Sequence, residues 1–334
     1  MKLITLEEHY GHMAISKAGT EEFKKMAPHF FEAFAPGMPY SPKPGTLFDL
    51  GEGRIADMDA NNITMQILSN TSAQVADASQ AVEACRIAND DLAKAIQTYP
   101  DRFAGFAALP TAVPEACAEE LRRAVKELGF VGAQISGRTN DKFLDDKCYE
   151  PLLEMAEKLS APIYLHPGVP PIEVQKACYQ GGLNPIVSTR MATCGWGWHI
   201  DAGTHMLHMV LSGTFDKFSK LQLILGHWGE VLPFFFDRID TAFPPEITGL
   251  KKKPSEYLRE NMYITPSGMF TKELLELCVK MVGVDRILYS VDYPYVPNEG
   301  AADFLLNSDL SEECQEKIAC KNAEKLLRLS TKEI

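Results

Sequence analysis

The chain has 334 residues, 46% apolar and 23% charged, an ordinary globular balance at a length that admits one large α/β barrel or two average domains. Its 33 Lys and Arg against 45 Asp and Glu give a formal charge of −12, which repels phosphate backbones and anionic lipid and argues against nucleic acid or membrane partners. The opening MKLITLEEHY has no secretory pattern, no stretch reaches the roughly 20 apolar residues of a membrane span, and the eight Cys form no C-x-x-C pair, so they read as reduced thiols of a cytoplasmic protein.

The first β-rich run is 2–9 (KLITLEEH), and others follow at 64–69, 103–109, 131–136, 162–167, 221–227, 262–266 and 286–292, eight in all. Between them, apolar residues recur at i, i+3 and i+4 over 79–99, 114–128, 147–159, 198–217, 229–241, 271–282 and 311–327, the mark of amphipathic helices. The 114–128 stretch begins with Pro and stops before Gly129, as a helix should. Strand–helix alternation predicts a parallel sheet. Eight units fit a single (β/α)8 TIM barrel over residues 1–334 better than a doubly wound sheet. Two long segments break the rhythm, 10–52 (with FFEAFAPGMPYSPKPG) after the first strand and 168–197 (with CGWGWH) after the fifth. Loops this long predict functional covers.

The chemistry gathers at strand ends. Alternation along a strand turns Glu7 and His9 one way and Glu8 the other. His166 closes the fifth strand, His227 the sixth and Asp292 the eighth. In a barrel these C-terminal ends form one rim, where active sites are built. Carboxylates and imidazoles converging there suit a divalent metal, zinc or manganese, with a position open for substrate.

Other residues have competing readings. Tyr10 and His12 follow the first strand and are candidates for substrate contact. Trp196, Trp198 and Trp228 lie near the rim; Trp198 either stacks on an aromatic ring or packs a lid. His199, His205 and His208 share a helical pattern that reads as a cover over the barrel or a subunit interface rather than a second metal site. Arg54 meets a carboxylate or is a surface charge. No nucleophile elbow, P-loop or dinucleotide fingerprint occurs.

Together LEEH, YLHPG, LGHWGE and YSVDYP resemble the amidohydrolase superfamily, and within it the nonoxidative decarboxylases typified by aminocarboxymuconate semialdehyde decarboxylase and the dihydroxybenzoate decarboxylases. The resemblance covers nearly the whole chain, including RIADMDANNITMQILS, DRFAGFAALP and the Arg-Ile-Asp that contains Arg238. It implies that Glu7, His9, His166 and Asp292 are the metal ligands and that His227 stands beside the metal. Glu230 and Arg238 then support His227 or the substrate. The opening Glu7-x-His9 departs from the His-x-His of the superfamily's hydrolases and favours decarboxylation. The implied substrate is a small aromatic carboxylate with an ortho hydroxyl, and the implied assembly a homodimer or homotetramer. In that reaction the metal is Lewis acid and template, and the proton reaches the ring carbon from Asp292, the first candidate, or from His227. With Asp292 as donor, His227 moves the phenol proton or holds the ring oxygen, its tautomer fixed by Glu230. The alternative is a metal-dependent lactone or amide hydrolase, or a hydratase, on the same scaffold.

Overall fold

The computed structural model describes residues 1–71 and 73–329. Seven parallel strands form one sheet in chain order: β1 Ile4–His9, β2 Met65–Ser69, β3 Phe103–Ala108, β4 Gly132–Ser136, β5 Ile163–His166, β6 Leu223–Leu225 and β7 Met262–Ile264. Helices fill the connections, among them Ala78–Thr98, Pro114–Lys126, Glu150–Leu159, Gly197–Leu211 and Lys272–Val282. Strands covered on both faces must be apolar on both faces, and β3 (FAGFAA) is so, with every residue buried; β1 is equally buried but carries Glu7, Glu8 and His9 at its end.

The eighth expected strand differs from its seven neighbours. Leu288 N–H donates to the Ile264 carbonyl and Leu6 N–H to the Tyr289 carbonyl, each at 2.9 Å, so this segment lies between β7 and β1. It forms only isolated bridges, Ile264 with Ile287 and Leu6 with Ser290. A side chain interrupts the ladder: Glu8 accepts from Val291 N at 3.0 Å and Tyr293 N at 3.1 Å. The carboxylate takes the place of a neighbouring strand's carbonyls.

Two layers of core follow from this geometry. Leu68, Ala133, Ile135, Leu165 and Leu223 pack outward against the helices. Ile4, Leu6, Ile67, Phe106, Tyr164, Ile224 and Leu288 pack on one another across the sheet's concave side, with Ala323 and Leu327 of the last helix below them. Each such Leu or Ile contributes roughly 1.5–3 kcal/mol by leaving water. This apolar plug is a floor beneath the rim.

The two expected long loops are largely helical. Residues 10–52 contain the helix Met13–Met26, and residues 168–197 contain Ile172–Cys178 and Pro185–Ala192. His12 caps the first of these by accepting from Ala14 N at 3.2 Å and also contacts Asp91 at 3.1 Å, which gives it a structural task in place of the expected substrate contact. Asn184 caps the last by accepting from Val187 N at 2.9 Å, with Pro185 in the first turn. The covers are stitched together: Arg190 donates to the Ala33 carbonyl at 2.7 Å, and Gln175 to the Met26 carbonyl at 2.9 Å. Among the described residues no helix is long and apolar enough to cross a membrane.

Candidate metal centre

The first strand reaches the rim by an irregularity. Ile4 and Leu6 face the inner core, so strict alternation would turn Glu7 and His9 outward. A register shift between Thr5 and Glu8, with Glu7 at φ 61°, changes the parity. Glu7 and His9 then both face inward, and Glu8 turns aside to bind the eighth segment. The expected pairing of Glu7 with His9 holds, but the bulge decides which face they share.

Glu7, His9, His166 and Asp292 each offer a ligand atom, all within 4.8 Å of one another. His9 Nε2 lies 2.9 Å from Asp292 Oδ1, and His166 Nε2 lies 3.4 Å from Glu7 Oε1. Yet His9 Nε2 and Glu7 Oε1 are buried without any hydrogen-bond partner. Proximity without a hydrogen bond leaves these two atoms free to ligate a shared cation. The opposite ring nitrogens are engaged: His9 Nδ1 with Ser69 Oγ at 3.2 Å, His166 Nδ1 with the Pro167 carbonyl at 2.7 Å. This is the arrangement that fixes a ligating imidazole.

Burial governs protonation here. It lowers His9 to about 4 against the pull of Glu7 and holds His166 well below its ordinary value, assisted by His9 and His227. Both rings are therefore neutral, the form that binds metal. Burial raises Glu7 and lifts Asp292 to about 7 against His227 and His199. His227 offsets the charge of both buried carboxylates, and a divalent cation between them would compensate it further. The donor set fits such an ion.

Neighbouring groups lock the cradle. Ser267 Oγ donates to Glu7 Oε2 in a short contact and accepts from His227 N at 2.9 Å; Ser290 Oγ donates to Glu7 Oε2 at 3.3 Å. A Cβ on Gly226 would stand 2.6 Å from Ser267 Oγ and 2.8 Å from Glu7 Oε1, so only glycine fits before His227. Seven of the thirteen non-glycine residues with positive φ among those described belong to this rim: Glu7, His227, Trp228, Glu230, Val231, Ser267 and Asp292. Each such conformation costs about 1–3 kcal/mol, a concentration of strain found at sites where geometry is imposed.

Beside the cradle stands a second group. Glu230 Oε1 accepts from His227 Nδ1 and Oε2 from His199 Nδ1, each at 2.8 Å. The two imidazole centroids are 4.3 Å apart. Burial opposes charge on His227, but Glu230, Glu7 and Asp292 overcome it and raise the ring to about 10. Burial likewise opposes charge on Glu230, but His227 and His199 keep its carboxyl below the ordinary value. Asp292, His166 and His227 keep 14%, 10% and 12% side-chain exposure, so the chamber opens where these three meet.

Several expected contacts fall elsewhere. Tyr10 is a core residue, because its ring packs outward and its hydroxyl reaches the Ala88 carbonyl at 3.5 Å. Arg238 stands exposed on the helix Phe236–Ala242, and no ion pair joins it to Glu230 or Asp292. Arg54 is no surface charge, and the carboxylate whose charge it feels most is Glu8. Buried, it donates to the His9 carbonyl at 2.6 Å and the Asp49 carbonyl at 2.8 Å, clamping the strand end from outside. Trp228 donates to the Met269 carbonyl at 2.8 Å and packs, while Trp196 is exposed. Trp198 is half-buried and donates from Nε1 to His199 Nε2 at 3.0 Å.

Three residues escaped sequence reasoning. Ser267 follows β7 in a T-P-S-G turn, a weak signal. Tyr295, three residues past Asp292, has its ring centroid 5.6 Å from that of His9. His199, read as part of a cover, stands at Glu230, and the dense CGWGWH tract was its only signal.

Comparison with known proteins places the chain among named relatives. Residues 48–329 match the amidohydrolase family. The decarboxylase orsB of Emericella nidulans is 37% identical, over 99% of this chain and 98% of its own. The gamma-resorcylate decarboxylase of a Polaromonas species is 36% identical, over 98% of both chains. Among solved structures, the dihydroxybenzoic acid decarboxylase of Polaromonas, with bound manganese and the inhibitor 2-nitroresorcinol, is 34% identical with a TM-score of 0.83, covering 98% of this chain and 97% of that one.

Proposed function

The chain belongs to the amidohydrolase family, and from that premise we propose that its metal-dependent decarboxylation of aromatic carboxylates is carried by Glu7, His9, His166 and Asp292 as ligands. The observation that carries this assignment is the pair of buried, partnerless atoms, Glu7 Oε1 and His9 Nε2, within a ligand set spanning 4.8 Å. Two carboxylates and two imidazoles suit manganese or zinc. The fold is read as a closed (β/α)8 barrel, the segment 287–290 supplying the eighth position between β7 and β1.

A divalent cation held by Glu7, His9, His166 and Asp292 would supply Lewis acidity and a template for the substrate. Direct loss of CO2 from an arene would leave an aryl anion with no acceptor for its electrons, so the ring carbon is protonated first. Asp292 donates that proton from the open side of the chamber, where its side chain keeps 14% exposure. The C–CO2 bond then breaks, its electron pair restores the aromatic ring, and CO2 departs. His227, kept cationic by Glu230, holds the oxygen of the ortho hydroxyl and exchanges its proton. No redox cofactor drives the reaction, so high bicarbonate should run it backwards.

The test is a panel of hydroxybenzoates and lactones given to metal-loaded protein, with CO2 release followed against acid release. CO2 from ortho-hydroxybenzoates is expected. Acid release from lactones without CO2 would overturn the assignment. Asp292→Asn should keep its metal and lose turnover; full turnover would remove Asp292 as the acid.

A further inference from the structure

His199, two residues past the cover 168–197, is tied directly to the proton-handling pair. Glu230 divides its two oxygens between two imidazoles, each at 2.8 Å, and the two rings come from different elements. His227 sits on the strained turn after β6, whereas His199 opens the helix Gly197–Leu211. Glu230 itself is fully buried, so with the helix seated its second oxygen is held by His199 and not by solvent. Both contacts need a donor at Nδ1, because a lone pair there would face a carboxylate.

The other face of His199 strengthens this. Trp198 Nε1 approaches Nε2 at 3.0 Å, and the Cys194 carbonyl approaches the same atom at 3.1 Å. These two compete, one asking Nε2 for a lone pair and the other for a proton. Neither choice releases the proton on Nδ1. With Trp198 donating, which an indole N–H can only do, the proton of His199 that meets Glu230 is the one on Nδ1. Backbone contact completes the seat: a Cβ on Gly203, one turn along the same helix, would lie 2.7 Å from the Glu230 carbonyl.

Resting on the decarboxylase reading above, we infer that His199 is a positioning residue for the reaction, acting through Glu230. By holding one carboxylate oxygen it fixes the plane of Glu230, so that the other oxygen keeps the proton of His227 on Nδ1 and leaves Nε2 facing the chamber. It also couples the docking of the cover helix to the readiness of His227. A cover displaced from the rim would free Glu230 and let the His227 ring turn.

His199→Leu and His199→Asn test this, because asparagine keeps an N–H near the position of Nδ1. Metal content and thermal midpoint should match the parent in both. On an ortho-hydroxybenzoate, His199→Leu should lower kcat by about 10–100-fold, the usual effect of removing a group that orients a functional histidine, with KM changed much less. His199→Asn should recover most of that loss. A readout independent of turnover is the nitrogen-bound proton resonance of His227 in 15N-histidine protein, identified by its absence in His227→Asn. It should persist in His199→Asn and broaden or shift in His199→Leu. Unchanged kcat in His199→Leu, equal loss in both variants, or an unaltered His227 resonance would overturn the inference. If the parent releases no CO2, the decarboxylase reading fails, whereas the resonance still decides the role of His199.

Discussion

Two clusters a few ångströms apart use the same residue types in opposite hydrogen-bonding states. In the first, Glu7, His9, His166 and Asp292 bring carboxylate and imidazole atoms within 4.8 Å, yet Glu7 Oε1 and His9 Nε2 bond to nothing. In the second, both oxygens of Glu230 are matched, one to His227 and one to His199. Unmatched lone pairs gathered within reach of one ion make a cradle for a cation. Matched ones make a device for holding a proton in place. Composition alone does not separate the two; whether each atom has a hydrogen-bond partner does.

The sharpest way to break this contrast is to remove a member of each cluster. His166→Ala should lose bound metal, measured by elemental analysis, and fall to the background rate of decarboxylation. Retention of stoichiometric metal would sink the cradle assignment. His227→Asn should keep its metal and lose about 10²–10⁴-fold in kcat, the range for a positioned acid or base. If metal left together with His227, the two clusters would be one.

A smaller effect tests the partnership inside the second cluster. Glu230→Gln offers only one carbonyl oxygen to two donors and no negative charge, so kcat should fall about 10–100-fold with KM nearly unchanged. A KM change alone would make Glu230 a substrate contact instead. The sequence exposed this pair because HWGE places His and Glu three residues apart at a strand end. It also pointed to the four residues that the fold brings together, Glu7, His9, His166 and Asp292, since strand ends share a rim whatever their separation along the chain. His199 was not legible, because its partner lies 31 residues away on another element. Nor was the bulge that turns Glu7 inward, because a shift of one residue leaves no mark in an apolar-polar pattern already crowded with acid. The eighth strand was legible as a run of β-formers, but not its broken ladder, which depends on where the Glu8 side chain goes.

Histidines on one helix give a pH test of the same contrast. His205, six residues after His199, has no carboxylate partner; its Nε2 accepts from Leu144 N at 2.8 Å. Burial, helped by His208 and Arg138, lowers it from 6.5 to about 3, whereas Glu230 holds His227 at about 10. Because the folded value of His205 lies below the unfolded one, the unfolded chain takes up the proton first as pH falls. Its stabilisation is therefore complete above pH 6.5 and is lost progressively towards pH 3, at up to about 1.4 kcal/mol per pH unit. Urea unfolding at pH 7 and pH 5 should show a smaller drop for His205→Gln than for the parent. Equal drops would mean that His205 does not titrate as its burial implies.

Tyr10 marks the outer boundary of both clusters and should give the smallest effect. It follows His9 directly, so alternation sends its ring to the opposite face, into the helix layer. There its hydroxyl meets the Ala88 carbonyl at 3.5 Å, too long for a strong bond, and that carbonyl belongs to the middle of the helix Ala78–Thr98, where a backbone donor already serves it. Tyr10→Phe keeps the ring and its buried area and removes only this weak contact. Stability should change by less than about 1 kcal/mol, with kcat and KM on an ortho-hydroxybenzoate unchanged. A severalfold rise in KM would place the hydroxyl in the chamber and reverse the parity assigned to the end of β1. Since that parity also turns Glu7 and His9 inward, the mildest substitution bears on the same bulge that builds the cradle.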